Sequence, residues 1–146
     1  MNLNFIKKGD KVLQPEKRIY VDGSGTGIFG YAEDKKDTPY YQLKPVIFEK
    51  EGITNNEAEY LAVIKALESL DKYEKVTILS DSQLVVNQLT HRWKIKEERL
   101  ADLAQMCWAI MKFNGVYVYY KWVGRNHNKM GRLLERELRR RKNDKS

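Results

Sequence analysis

The apolar residues of this chain recur with two spacings, one typical of strands and one typical of helices. Near the start, β-branched and aromatic runs at 18–22 and 28–34 flank the turn sequence GSGTG, which predicts a hairpin. A third apolar run at 40–50 predicts another strand, in which Pro45 indicates a sheet edge or an irregularity. This part of the chain is therefore predicted to form an antiparallel meander.

The rest of the chain alternates between helical and strand spacing. Helices are predicted at about 55–70, 82–89, 97–112 and 128–141, and strands at 75–81 and 115–123. Thr54 is the predicted N-cap of the first helix, and Ser80 or Asp81 that of the second. This order predicts an α/β domain with a mixed sheet, in which helical crossovers follow the meander.

Length and composition fit one domain. The chain has 146 residues, 42% hydrophobic and 32% charged, so residues 1–146 are predicted to share one fold, with an N-terminal extension at 1–17 and a basic C-terminal tail at 137–146. A single cysteine, Cys107, and two histidines exclude a disulfide framework and a cysteine- or histidine-based metal cage. Any metal would be held by oxygen ligands, which favours Mg²⁺ or Mn²⁺.

The charge balance indicates the kind of partner. A net charge of +7, from 27 Lys and Arg against 20 Asp and Glu, favours a polyanion and above all nucleic acid, although a basic charge also serves solubility. No apolar run approaches the roughly 18 residues that span a membrane, and the N-terminus lacks a signal-peptide pattern. We expect a cytoplasmic monomer that needs neither a membrane nor an obligatory protein partner.

One acid of the first predicted helix falls on the stripe that should be buried. At helical spacing, Glu59 shares its face with Ala62, Val63, Ala66 and Leu70, all of them apolar. Its side chain could bend around the edge of the helix into water. The composition of the stripe makes a role for a buried carboxylate the better explanation.

Two further acids are predicted to lie near Glu59. Asp22 ends the first strand and Asp81 ends the strand after the helix, and sites of open α/β sheets form beyond such strand ends. Taken alone, Asp22 could be a turn residue and Asp81 a helix cap. If the three converge, they must protonate, find cations or bind divalent metal. Metal is the simplest solution and would also support phosphodiester hydrolysis.

Four segments resemble the type 1 ribonucleases H, over roughly residues 18–136. They are YVDGSG, TNNEAEYLAVIKAL, SDSQLVVNQL and WVGRNHNKMGRLLE. The resemblance implies a five-stranded mixed sheet, its first three strands antiparallel, with helices on both faces. It also implies cleavage of the RNA strand of RNA/DNA hybrids by two Mg²⁺ ions, with Mn²⁺ as a substitute, giving 5′-phosphate and 3′-hydroxyl ends. Asp22, Glu59 and Asp81 match the first three metal-binding acids.

The resemblance further implies which residues contact the substrate. Such contacts would read the 2′-hydroxyl groups across the wide minor groove, which distinguishes RNA from DNA. The positions are Gly23, Ser24, Asn55, Asn56, Gln83 and Asn128.

The last helix departs from the family pattern. Asn128 matches, but the fourth acid, expected four residues later, is replaced by Arg132. Glu135, one turn further along the helix, is the predicted replacement and would be both a catalytic and a metal-binding residue. Alternatively, Glu135 is a surface residue beside arginines. His127 is a candidate for proton transfer, although a lone loop histidine is often incidental.

The stretch THRWKIKEERL is too short for the basic protrusion of some members. Hybrid binding would then depend on Arg92, Lys94 and Lys96, or on the run RRRK at 139–142. Two other functions stay open: a weak or inactive hybrid-binding module, because of Arg132, and another nuclease of the same fold.

Overall fold

A computed structural model describes residues 15–144 as five strands and four helices. The strands are β1 (Arg18–Gly23), β2 (Ile28–Asp34), β3 (Val46–Glu49), β4 (Lys75–Ser80) and β5 (Tyr117–Trp122). The helices are α1 (Asn55–Glu68), α2 (Gln83–Leu89), α3 (Glu98–Asn114) and α4 (Lys129–Asp144). Short 3₁₀ turns lie at Tyr40–Gln42 and Arg125–His127. Residues 1–14 of the predicted extension and 145–146 of the predicted tail lie outside the described residues.

The strands form one sheet in the order β3–β2–β1–β4–β5. β1, β2 and β3 pair antiparallel, whereas β4 is parallel to both β1 and β5. This confirms the predicted mixed sheet and its antiparallel meander. Because β1 and β4 are parallel neighbours, their carboxyl ends meet at one edge of the sheet, where Asp22 and Asp81 lie.

Each face of the sheet is covered by helices, as expected. The larger core packs α1, α2 and α3 against one face, with Ile19 and Val21 of β1 and Ile78 of β4 among its members. The smaller core packs α4 against the other face, where Tyr20 and Leu79 point. The alternation of Ile19, Tyr20 and Val21 between the two cores is the period of two that a strand imposes on its side chains. Cys107 lies in the larger core and has no exposed surface.

Two local predictions were wrong. The predicted strand at 40–50 forms only over Val46–Glu49, because residues 40–42 make a 3₁₀ turn in which the Leu43 amide donates to the Tyr40 carbonyl. The N-cap of α2 is Ser82, whose hydroxyl accepts from the Val85 amide, rather than Ser80 or Asp81. Ser80 is buried on the strand, where its hydroxyl accepts from the Ser82 amide.

The first helix begins as predicted. Thr54 is the N-cap of α1, and its side chain forms a reciprocal capping box with Glu57. α4 continues to Asp144, three residues beyond the predicted end at 141. Within residues 15–144, no helix is both long enough and apolar enough to cross a membrane.

Candidate active site

Three carboxylates from separate segments converge at the edge of the sheet. Asp22 lies at the end of β1, Asp81 directly follows β4, and Glu59 lies in the second turn of α1. One oxygen of each lies within 4.8 Å of the others. The convergence predicted from the sequence is therefore present in the structure.

Glu59 is held in place by the close approach of α1 to β1. A Cβ atom at Gly23 would lie 2.3 Å from the carbonyl carbon of Ala58, so the absence of a side chain at Gly23 permits this approach. The Gly23 amide donates to Oε1 of Glu59 at 2.5 Å. Glu59 is only 8% exposed, which explains why an acid belongs to the apolar stripe of the helix.

The cluster resists full ionisation when it is left to itself. Burial, reinforced by the neighbouring charge of Asp22, raises the pKa of Glu59 well above its usual range. Burial and the charge of Asp81 also raise the pKa of Asp22, whereas its hydrogen bond to Glu59 opposes this rise. That bond further raises the pKa of Glu59.

These properties fit a divalent cation. All three donors are carboxylate oxygens, which suit Mg²⁺ and Mn²⁺. A cation between them would offset the burial and the mutual repulsion that raise the pKa values of Asp22 and Glu59. Asp22, Glu59 and Asp81 are thus the residues that would hold it.

Asn128 fixes the position of Asp81 and of the end of β1 through hydrogen bonds of its side chain. Its side-chain amide donates to the Val21 carbonyl at 2.9 Å and to Oδ2 of Asp81 at 3.0 Å, while its oxygen accepts from the amide of Met130. Asn128 has no exposed surface, so its position gives no support to the predicted substrate contact, which stays a prediction. Its contacts instead join β1, Asp81 and the start of α4.

The acid cluster opens into a cavity of about 310 Å³. Besides the three acids, its lining contains the predicted residues Gly23, Ser24, Asn55, Asn56 and Glu135. Asn55 accepts a hydrogen bond from the Gly25 amide, which ties the glycine-rich turn to the start of α1. Gln83 is exposed in the first turn of α2, next to the cavity-lining Ser82.

The fourth acid was expected at position 132, in the first turn of α4, and the side chains around this position point in different directions. Position 131, a glycine, faces the cluster, since a Cβ atom there would lie 3.4 Å from Oδ2 of Asp22. Arg132 points to another side and stacks its guanidinium 4.6 Å from the centre of the Tyr40 ring. Glu135 lines the cavity but is exposed and lies outside the group of three acids. Its predicted role as a fourth ligand stays a prediction.

His127 does not line this cavity. It lines a second cavity of about 300 Å³ on another side of α4, together with Tyr40, Lys129 and Arg132. The predicted role of His127 in catalysis therefore receives no support from its position, and it stays a prediction.

Arg125 is a functional candidate that was not predicted from the sequence. It is exposed, lines the cavity and lies near enough to Asp22 for its charge to lower the pKa of that acid, against the larger effect of burial. It belongs to the 3₁₀ turn after β5, which directs Arg125 to one cavity and His127 to the other. In the sequence, Arg125 is distinguished as a candidate only by its position at a strand end, three residues before Asn128.

Comparison with known proteins identifies the family. Residues 14–132 match the family model described as RNase H, which is most of the chain. The chain belongs to the RNase H family. A ribonuclease H of Polaromonas naphthalenivorans is 36% identical over 126 residues, which cover 75% of this chain and 75% of that protein. Across three curated relatives, the matched part covers 48–75% of the relative's length.

Solved structures of RNase H proteins have the same fold. The N-terminal RNase H domain of Rv2228c from Mycobacterium tuberculosis is 29% identical, with a TM-score of 0.63 over 78% of this chain and 86% of that chain. LC11-RNase H1, solved in complex with an RNA/DNA hybrid, is 25% identical, with a TM-score of 0.66 over 77% of this chain and 88% of that one. The RNase H-like fold expected from the resemblance is confirmed.

Proposed function

We propose that this RNase H family member is a divalent-metal-dependent endonuclease that hydrolyses the RNA strand of RNA/DNA hybrids. The observation that carries the proposal is the cluster of Asp22, Glu59 and Asp81, whose oxygens lie within 4.8 Å of one another at the floor of an open cavity. Relatives that bear the name ribonuclease H, and a similar structure that holds an RNA/DNA hybrid, support this substrate class.

The acids would hold two divalent ions, with Mg²⁺ as the natural cofactor and Mn²⁺ as a substitute. When bound, such ions supply a nucleophile from water and neutralise the charge that develops on the phosphate. Glu135 is the proposed fourth ligand, because it lines the same cavity. The proposed products are a 5′-phosphate and a 3′-hydroxyl end.

The other residues of the cavity would bind and orient the hybrid. The exposed Arg125 guanidinium suits two oxygens of one phosphate at once. Other polar groups that line the cavity would contact the sugars and their 2′-hydroxyl groups. These are Gly23, Ser24, Asn55 and Asn56, with Gln83 beside them. A cytoplasmic location and a monomeric state complete the proposal.

A cleavage assay on three labelled duplexes tests this function. We expect Mg²⁺-dependent cutting of the RNA strand in an RNA/DNA hybrid, and no efficient cutting of duplex DNA or duplex RNA. Asp81→Asn serves as the inactive control, since it removes one member of the acid cluster. Efficient cutting of either pure duplex would contradict hybrid specificity and favour another nuclease of this fold.

A hybrid-binding module without activity is the second candidate. It is favoured by the absence of a fourth acid from the cluster formed within residues 15–144. Tight hybrid binding without cleavage at any Mg²⁺ or Mn²⁺ concentration would support it over the enzyme.

A further inference from the structure

The outward surface of α4 carries a row of cations. Arg132, Arg136, Arg139 and Lys142 follow one another at spacings of four, three and three residues, and all four are exposed. Such spacing places them on neighbouring turns of one side of the helix, over a length of about 15 Å. We call these four residues the α4 cation row.

Two acids near this row, Glu137 and Asp144, pair with arginines outside it. Glu137 accepts hydrogen bonds from Arg140 and Arg141, and Arg140 also pairs with Asp144. Arg141 bridges to Glu49 at the end of β3. In the part of the chain that the structure describes, no member of the α4 cation row has a carboxylate within salt-bridge distance. The charges of Arg136, Arg139 and Lys142 are therefore available to a partner, whereas Arg132 lies over the Tyr40 ring.

The row borders the candidate active site. Gly131, Glu135 and Leu138 line the cavity and recur every three or four residues, so they form the cavity-facing stripe of α4. Continuing the same spacing beyond Leu138 reaches Lys142, and Arg139 lies next to that stripe. A polyanion that leaves the cavity along α4 would meet both cations within about 6 Å of helix length beyond Leu138.

We infer that the α4 cation row binds the phosphate backbone of the hybrid on one side of the cleavage site. The inference rests on the proposed function for the identity of the duplex. Duplex nucleic acid carries about one negative charge per 1.7 Å of its axis, so the length of the row spans several phosphates. Within the row, Lys142 continues the cavity-facing stripe of α4 and Arg139 lies next to that stripe.

Binding of two hybrids in EDTA tests the inference without cleavage. One is a hairpin-capped hybrid of about 6 base pairs that covers the cavity alone, and the other has about 20 base pairs and reaches along α4. We expect the double variant Arg139→Gln, Lys142→Gln to bind the longer hybrid roughly tenfold more weakly, and to lower the slope of log Kd against log salt by about 2. Its binding of the short hybrid should be unchanged.

The matched control removes the same charge elsewhere. Lys72→Gln with Lys112→Gln changes two exposed lysines, one before β4 and one in the last turn of α3, and α3 covers the other face of the sheet. It should leave the salt slope for both hybrids close to that of the unchanged protein. Equal effects of the two double variants, or equal weakening of both hybrids by the α4 variant, would overturn the inference. Mg²⁺-dependent cleavage of the short hybrid reports separately on the proposed function.

Discussion

Glu59 belongs both to the buried face of α1 and to the acid cluster. Its position on α1 would suit an apolar side chain, because Ala62, Val63 and Ala66 on the same stripe are fully buried. Burial of a carboxylate without a cation costs several kcal/mol when it ionises, and burial accordingly raises the pKa of Glu59. The residue therefore makes the site ready for a cation at some cost to the stability of the empty protein.

Removing one acid should stabilise the metal-free protein at neutral pH. The pKa of Asp22 is raised in the folded state from an ordinary value of 3.8, so ionisation opposes folding as the pH rises above that value. We expect Asp22→Asn to raise the free energy of unfolding by roughly 1–3 kcal/mol at pH 8 in EDTA, with little gain at pH 3.5, where the unfolded acid is itself mostly protonated. Thermal unfolding across this pH range measures the effect, and hybrid cleavage should be lost.

Asp102→Asn is the control for this substitution, since Asp102 is exposed on α3. It should change neither stability nor cleavage appreciably. A gain for Asp22→Asn that is the same at both pH values would contradict the electrostatic explanation.

The substitution Glu135→Gln tests whether Glu135 takes the role of the fourth acid, which was expected about one helical turn earlier. If Glu135 contributes to the metal site, the Mg²⁺ concentration for half-maximal cleavage should rise about 10- to 100-fold, as is typical when a supporting metal-site group is lost. A metal titration of cleavage measures this shift. An unchanged titration would show that three acids suffice. Glu98→Gln is the control, since it makes the same change at an exposed acid of α3, on the other face of the sheet.

The three acids could be predicted because each has a local signal: a strand end for Asp22 and Asp81, and an apolar stripe for Glu59. The role of Asn128 could not be predicted, since its hydrogen bonds join residues as far apart as Val21 and Asp81. The orientation of Arg132 depends likewise on Tyr40, which lies 92 positions earlier in the chain.

At the scale of elements, the site depends on the distance between α1 and β1. Only a residue without Cβ fits at position 23, because the backbone of Ala58 occupies that space. The strand thereby brings Asp22 to the same helical turn that carries Glu59. This contact couples the packing of the larger core to the geometry of the acids.

Gly23→Ala should separate the two elements. We expect a loss of about 1–3 kcal/mol in the free energy of unfolding from overpacking, and cleavage reduced at least tenfold because Glu59 shifts from Asp22. Denaturant unfolding and hybrid cleavage measure the two effects. Gly52→Ala is the control: its φ of 75° makes alanine strained, yet no atom would contact the new Cβ. It should lower stability but retain cleavage.

A buried ion pair fixes the start of α4. Lys129 donates to Asp34 at 2.6 Å and to Asp37 at 2.9 Å, and Asp34 has no exposed surface. Lys129→Met should destabilise the protein by roughly 3 kcal/mol, because Asp34 would keep a buried charge. Among residues 15–144, its remaining partners would be Arg18 at 4.0 Å and the Thr38 amide at 2.9 Å. Chemical denaturation measures the loss. The exposed Lys44 offers a control, since Lys44→Met should have little effect on stability.

The element order was predictable, whereas two details of the elements were not. The apolar run at 40–50 resembles a strand, yet residues 40–42 turn and Leu43 packs in the smaller core beneath α4. Periodicity alone does not reveal this contact with a distant helix. Ser80, Asp81 and Ser82 are all capping residue types, and the choice among them depends on where β4 stops pairing with β5.

For the molecule as a whole, metal binding and folding should be linked. An ion that binds the folded acids stabilises that state by an amount that grows with the logarithm of its concentration and reaches about 2.7 kcal/mol at 100 times its Kd. We expect Mg²⁺ or Mn²⁺ to raise the thermal midpoint of the unchanged protein and to have much less effect on Asp22→Asn. Scans with and without divalent ion at constant ionic strength measure this, and equal shifts in both proteins would contradict specific binding.

The burial of Cys107 has a practical consequence. Its thiol has no exposed surface, and burial raises its pKa, so the reactive thiolate is scarce at neutral pH. Maleimide reagents should therefore leave the folded protein unlabelled. A cysteine engineered on the surface could carry a fluorophore at one defined position without replacement of the natural thiol, and the rate at which Cys107 itself reacts would report how often the larger core opens.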